Sequence, residues 1–246
     1  MKEPARMKPP NVKLRTRLLH GLAALFVIAW LSVAAWYGYD KVISAPIRQV
    51  LYAAPTGRIA QFDLDALARG IQSAPGRPSL AEIRESARRV RWVRDASARR
   101  VSADTVEIRF DTHEPLARWN DDALVSVRGE VFSAEYEGEL PRFRGADGAA
   151  PAMTRQYPIL VNALAPLASP IAELRLTARG GWQATLASGL AIDLGRSDME
   201  ARIARLVSVW PEMQARGVAP THVDLRYPNG FALQQPQQPQ PPKKKA

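Results

Sequence analysis

LRLTARGGWQATLASGLAIDLGRSDMEARIARLVSVW, residues 174–210, carries the reading that decides the fold. Leu174 and Leu176, then Trp182, Ala184 and Leu186, then Leu190, Ile192 and Leu194 alternate with other residues, the period of strands that bury one face. Gly180-Gly181 and Ser188-Gly189 separate the runs, so the three read as an antiparallel meander. The period then changes. Ile203, Leu206, Val207 and Trp210 fall on one helical face, Ser197-Asp198-Met199-Glu200 has the spacing of a capping box, and Pro211 is expected to disturb the helix.

Working outward, Val223, Leu225 and Tyr227 predict a last strand, and from Gln234 onward QQPQQPQPPKKKA has nothing to bury and reads as disordered. On the other side, Leu124 to Val127 and Glu130 to Phe132 flank Arg128-Gly129, a hairpin signal because glycine accepts positive φ without a Cβ clash. Residues 116–233 therefore read as a mostly antiparallel β domain containing one or more helices, and 234–246 as a disordered tail.

Residues 46–115 have a different pattern, that of a small β-α-α-β-β module. Ile47 to Tyr52 reads as a short strand, followed by a helix that Asp63 could cap, with Leu64, Leu67, Ala68 and Ile71 on one face. Ser79-Leu80-Ala81-Glu82 is a capping box, followed at helical spacing by Ile83, Ala87 and Val90. Thr105 to Asp111 alternates strictly, placing Val106, Ile108 and Phe110 on one face; Trp92 to Val101 is expected to pair with it. The chain is thus α+β.

Leu18 to Tyr39 is a run of 22 residues without Asp, Glu, Lys or Arg. As a helix it would reach roughly 33 Å, enough for a bilayer. Six Lys/Arg in residues 1–17 precede it, while Asp40 to Thr56 hold only Lys41 and Arg48, so the positive-inside rule leaves the N-terminal tail in the cytoplasm and exports the remainder. A cleaved signal peptide is the competing reading; its apolar core would be about 7 to 15 residues, and the Ser44-Ala45 site is followed by Pro46.

Formal charge is +10 over 246 residues, a balance that raises nucleic acid or an anionic membrane as a partner. Eight of those charges, however, lie in residues 1–17 and at Lys243, Lys244 and Lys245, so the body between is close to neutral. No cysteine is present, which removes disulfides, thiolate metal sites and cysteine nucleophiles. His113 and His222 lack a second histidine or carboxylate cluster at metal-binding spacing, no serine sits in a G-x-S-x-G elbow or three residues before a lysine, and no phosphate-cradling glycine loop occurs. The arginines between Arg84 and Arg100 are diluted by Glu82, Glu85 and Asp95 and read first as an outward face with local ion pairs, then as a protein-docking surface. No catalytic residue, metal or cofactor is expected.

Several strings, taken in order after such an anchor, resemble one family. They are Trp92-Val93-Arg94, the Asp104 to Pro115 strand running into Ala117-Arg118-Trp119, Arg128-Gly129-Glu130-Val131-Phe132, Leu176-Thr177-Ala178-Arg179 with Trp182, Leu194-Gly195-Arg196 and Val223-Asp224-Leu225-Arg226-Tyr227. Over about residues 12–233 the chain resembles the proteobacterial branch of FtsQ (DivIB), the bitopic cell-division family. The resemblance implies that the first module is a POTRA domain and that the role is non-catalytic. It also implies an inner-membrane, type II protein of the septum that binds FtsB and FtsL among the divisome proteins, with no nucleic acid and no small-molecule substrate. In the family FtsB adds a strand to the edge of the β domain at its last strand, which points here to Arg226, Tyr227, Asn229 and Gly230, with Arg179 facing an acidic partner residue. An aromatic that follows this strand in some relatives is replaced by Gln234-Gln235. Tyr227 as a plain core residue stays open as an alternative at this point, and so does a POTRA-type protein of polypeptide transport or envelope assembly.

Overall fold

The computed structural model describes residues 25–37, 46–53 and 57–235. The basic tail at 1–17 and the tail beyond 235 lie outside the described residues, as do 18–24 and 38–39 of the expected span. Residues 25–37 form a helix, α1, in which every side chain is exposed. Among the described residues no helix is long and apolar enough to cross a membrane.

Packing divides the chain into two units, with Val90, Arg91–Asp95 and Phe110 marking the seams. The first holds a three-stranded sheet in the order β1 (Gln49–Ala53), β3 (Thr105–Thr112), β2 (Val93–Arg100), with β1 and β3 parallel. Helices α2 (Gln61–Gln72) and α3 (Leu80–Arg88) follow β1, burying Leu64, Leu67 and Ile71 from one and Ile83 and Ala87 from the other. Alternation in β3 is as the pattern predicts, Val106, Ile108 and Phe110 being buried. Tyr52 joins helix to sheet: its hydroxyl donates to the Leu64 carbonyl at 2.6 Å and its ring stacks on Phe110. The Ser79 capping box forms in full, the Ser79 hydroxyl accepting from the Glu82 N–H and the Glu82 carboxylate from the Ser79 N–H. Asp63 does not cap α2. Ala60 holds that position without a side-chain hydrogen bond, and Asp63 lies in the first turn, where a negative charge meets the positive end of the helix dipole.

The second unit is built on a nine-stranded sheet in the order β12-β11-β10-β9-β8-β7-β4-β5-β6. Its strands are β4 (Pro115–Trp119), β5 (Ala123–Ser126), β6 (Val131–Phe132), β7 (Arg142–Arg144), β8 (Ile171–Leu176), β9 (Trp182–Leu186), β10 (Ala191–Gly195), β11 (His222–Asp224) and β12 (Ala232–Gln234). The predicted meander is β8-β9-β10, antiparallel throughout. Elsewhere the sheet is mixed, since β4–β7, β7–β8 and β10–β11 run parallel. Gly129 closes the β5–β6 hairpin at φ +82°, and a Cβ there would stand 2.7 Å from the Pro151 Cα, so glycine is required twice over.

Two helices cover one face, α4 (Ala150–Leu164) against β5 and β8 and α5 (Met199–Ala215) against β10. Between helices and sheet lie Ala117, Trp119, Phe143, Leu174, Ala184, Ile192, Leu194 and Val223, with Met153, Leu160, Ile203 and Leu206 opposite. Helix α4 was not expected. The capping box expected at Ser197 does not form either: Asp198 occupies the N-cap in a left-handed conformation without a side-chain cap, and Ser197 bonds Asp198 instead. Pro211 lies inside α5, which continues to Ala215.

Strand alternation sends the polar set to the opposite face. Arg144 bonds both Asp121 and Glu173, Glu173 also accepts from Arg175, and the row continues across the sheet through Gln183 and Asp193 to His222.

Candidate interaction surface

The chain's expected last strand at Val223–Tyr227 is divided differently in the structure. Strand β11 ends at Asp224, Leu225 turns into the core, and Arg226 to Gly230 form the connection to β12, which pairs antiparallel with β11. The sheet therefore ends not at β11 but at β12, one pairing further out, and Gln234 belongs to that strand rather than to a disordered tail. All three residues of β12 are exposed. As the outermost strand it leaves one side of its backbone without a sheet partner.

The candidate residues cluster at one corner of this rim. Tyr227 is 54% exposed, whereas Val223 and Leu225 fill the core positions of the segment. The Tyr227 ring is thus no part of the core, and its carbonyl accepts from Arg205 of α5 at 3.3 Å. Arg226 folds back on Asp224: its Nε and Nη2 donate to the two carboxylate oxygens at 2.8 and 2.7 Å, and its N–H donates as well at 3.0 Å. That fork raises the Arg226 guanidinium above its ordinary value and holds the Asp224 carboxyl below its own. Asn229 and Gly230 sit in the turn.

Arg179 is exposed in the tight β8–β9 turn, where Gly181 N–H donates to the Thr177 hydroxyl. Register brings that turn close to the same corner: Trp182 pairs with Gly195, and Gly195 lies within 3.5 Å of the Arg226 stem measured from its missing Cβ. The corner also holds Arg196, Arg202 and Arg205, which the sequence reading did not select. Spacing of Arg202 and Arg205 three apart on α5 was the available signal.

His113 and His222 each lie beside one carboxylate. His222 Nε2 lies 3.1 Å from Asp193 Oδ2. His113 stacks on Phe132, ring centroids 4.3 Å apart, with Nδ1 3.4 Å from Glu130 Oε2 and the Arg94–Asp111 ion pair alongside. Among the described residues no three His, Asp or Glu side chains converge as a metal site.

Burial, the largest influence, holds the His113 imidazole below its ordinary value, Arg94 adding to the effect and Glu130 and Asp111 opposing it. An unfolded chain then takes up the proton more readily than the folded one. The stability tied to His113 is accordingly complete above about pH 6.5 and drains away as pH falls through the folded value. The thermal midpoint should fall between about pH 7 and about pH 5, and fall less in His113→Gln; equal slopes for the two chains would show that His113 is not the group responsible.

Comparison with known proteins points to one family. Residues 117–226 match the family described as cell division protein FtsQ/DivIB, C-terminal. The chain is 37% identical over 177 residues to cell division protein FtsQ of Bordetella pertussis, covering 63% of this chain and 64% of that one. It is 40% identical over 150 residues to the protein of the same name from Burkholderia pseudomallei, covering 58% and 60%. With that of Neisseria meningitidis serogroup B it shares 33% over 159 residues, covering 64% and 68%. The chain thus spans a little under two-thirds of the Bordetella and Burkholderia proteins it matches. An α+β molecule with a large mixed sheet and these matches falls in the class of bacterial cell division proteins. The chain belongs to the FtsQ/DivIB family.

Proposed function

We propose that the chain is a non-catalytic scaffold of the divisome that binds FtsB and FtsL and so links early to late division proteins, helping control septal peptidoglycan synthesis. The observation that carries this reading is the open rim at β12, flanked by an exposed tyrosine and a group of arginines. Strand addition there would use the backbone groups on the outer side of β12 for affinity and Tyr227, Asn229, Gly230, Arg226 and Arg179 for register and selectivity. Because Asp224 already grips Arg226, Arg179 is the better placed cation for an acidic partner residue.

Residues 46–115 are proposed as a POTRA-like domain and 116–233 as the partner-binding β domain. The apolar run at 18–39 is proposed as an uncleaved inner-membrane anchor, N-terminus in the cytoplasm, with the molecule enriched at the septum. Six basic residues ahead of the run support that orientation, and the exposed apolar side chains of α1, such as Leu25, Phe26, Trp30 and Trp36, support the anchor itself.

Membranes carrying the full chain with a C-terminal tag are expected to yield FtsB and FtsL on co-purification. Single cysteines at Thr16 and Ser188 are clean probes in a chain without cysteine, and an impermeant thiol reagent should label Ser188→Cys and spare Thr16→Cys in spheroplasts. Recovery of neither partner from correctly oriented protein would sink the proposal; inverse labelling would sink the topology.

A further inference from the structure

Asp193 is an unusual residue for its place. It stands in β10, inside the nine-stranded sheet, with a side chain only 12% exposed, although aspartate is disfavoured in strands and a buried carboxylate is costly unless paired. Its partners come from three directions. Gln183 of β9 donates to Oδ1 at 2.7 Å, His222 of β11 meets Oδ2 at 3.1 Å, and the Arg226 Nη2 lies 3.8 Å from Oδ2. The Asp193 carbonyl also accepts from the Leu225 N–H at 2.9 Å, at the point where the chain leaves β11.

Neighbouring backbone completes the arrangement. A register shift follows Asp193, and Gly195 adopts φ +87°, where a Cβ would collide with Arg202 and come into ordinary contact with the Arg226 stem. Asp224, the parallel partner of Asp193, holds the same guanidinium through Nε and Nη2. Arg226 therefore lies beside carboxylates on two adjacent strands.

We infer that Asp193 is a positioning residue of the partner-binding corner: it acts through Arg226 and His222 to hold the β11–β12 connection in its binding arrangement, without itself meeting the partner. This rests on the proposed reading of the corner. A long, flexible arginine and a short exposed turn that are ordered in advance lose less freedom when a partner strand arrives.

The test compares four full chains in detergent: wild type, Asp193→Asn, Arg226→Ala and the double variant, each titrated with purified FtsB–FtsL. Asp193→Asn is expected to weaken binding about tenfold in the wild-type background and no more than about threefold in Arg226→Ala, where only the link through His222 is left. His222→Gln, which keeps a donor toward Asp193, should bind within about threefold of wild type, and His222→Ala should be weaker. A full Asp193→Asn effect that persists in Arg226→Ala would overturn the inference. So would wild-type affinity in Asp193→Asn. Should Asp193→Asn not fold, Gln183→Met loosens the same carboxylate while keeping it, and its loss must likewise shrink in Arg226→Ala. A second readout needs no partner. In arginine-labelled chain the Arg226 guanidinium should be most ordered in wild type and measurably less ordered in Asp193→Asn, where Asp224 alone holds it. Unchanged order refutes positioning, whereas a wild-type chain that fails to bind FtsB–FtsL but shows the ordering refutes only the proposed function.

Discussion

Replacing Tyr227 with alanine is expected to weaken FtsB–FtsL binding about thirtyfold or more while leaving the thermal midpoint essentially where it is. The ring is 54% exposed and the core position beside it belongs to Leu225, so truncation removes little that the fold needs. An aromatic that becomes enclosed by an added strand commonly acts as a hot spot worth about 2 kcal/mol or more, and each 1.4 kcal/mol is about a factor of ten in affinity. Arg179→Glu should act differently, lowering the association rate and changing its salt dependence through charge reversal. Calorimetry on the full chain reads the Tyr227→Ala loss directly. Unchanged affinity would place the partner elsewhere, and an unfolded variant would mean that the ring supports the domain.

The largest loss of stability is expected from Phe143→Ala. Phe143 is fully buried on β7, which pairs parallel with β4 on one side and β8 on the other, and its ring meets Tyr157 of α4 with centroids 5.1 Å apart. Removing it deletes the filling between helix layer and sheet at a place where neighbours on both sides are fixed by backbone pairing. Such aromatic truncations cost about 3 to 5 kcal/mol, a large part of a domain's stability. Urea unfolding of the variant should show a midpoint lowered accordingly with a similar slope. A loss under about 1 kcal/mol would mean that the site collapses without strain or that the ring is less enclosed than its burial implies.

Elements that carry their own local signal were legible in the sequence. Val106, Ile108 and Phe110 alternate because β3 buries one face, Ser79 and Glu82 cap α3 through bonds made within four residues, and Gly129 closes a hairpin whose two strands adjoin it. What depends on distant residues was not. Helix α4 begins without a side-chain cap and holds Pro158 inside, two local features against it, with proline in its first turn the one signal in favour, while packing on β5, β8 and α5 sustains it. Strands β7 and β12, three residues each, are too short for a period to show, and the parallel pairings of β7 and β11 leave no mark on the residues between them. The candidate corner divides the same way. Arg226 and Tyr227 were selected through the family resemblance carried by a string of five residues, whereas Asp193, Arg202 and Arg205 reach that corner only because α5 crosses back and lays β11 beside β10.

That crossover has a kinetic meaning. Strand β11 is separated from its partner β10 by the whole of α5, and β12 can dock only on a finished β11. Non-local pairings of this kind close late, after the nearby hairpins have formed. As the chain emerges from its N-terminal end, the meander and helices are in place first and the rim is the last part to be made. Any molecule able to present that rim has, by then, already assembled the strands beneath it, so a partner that reads β12 also reads whether the domain behind it is complete.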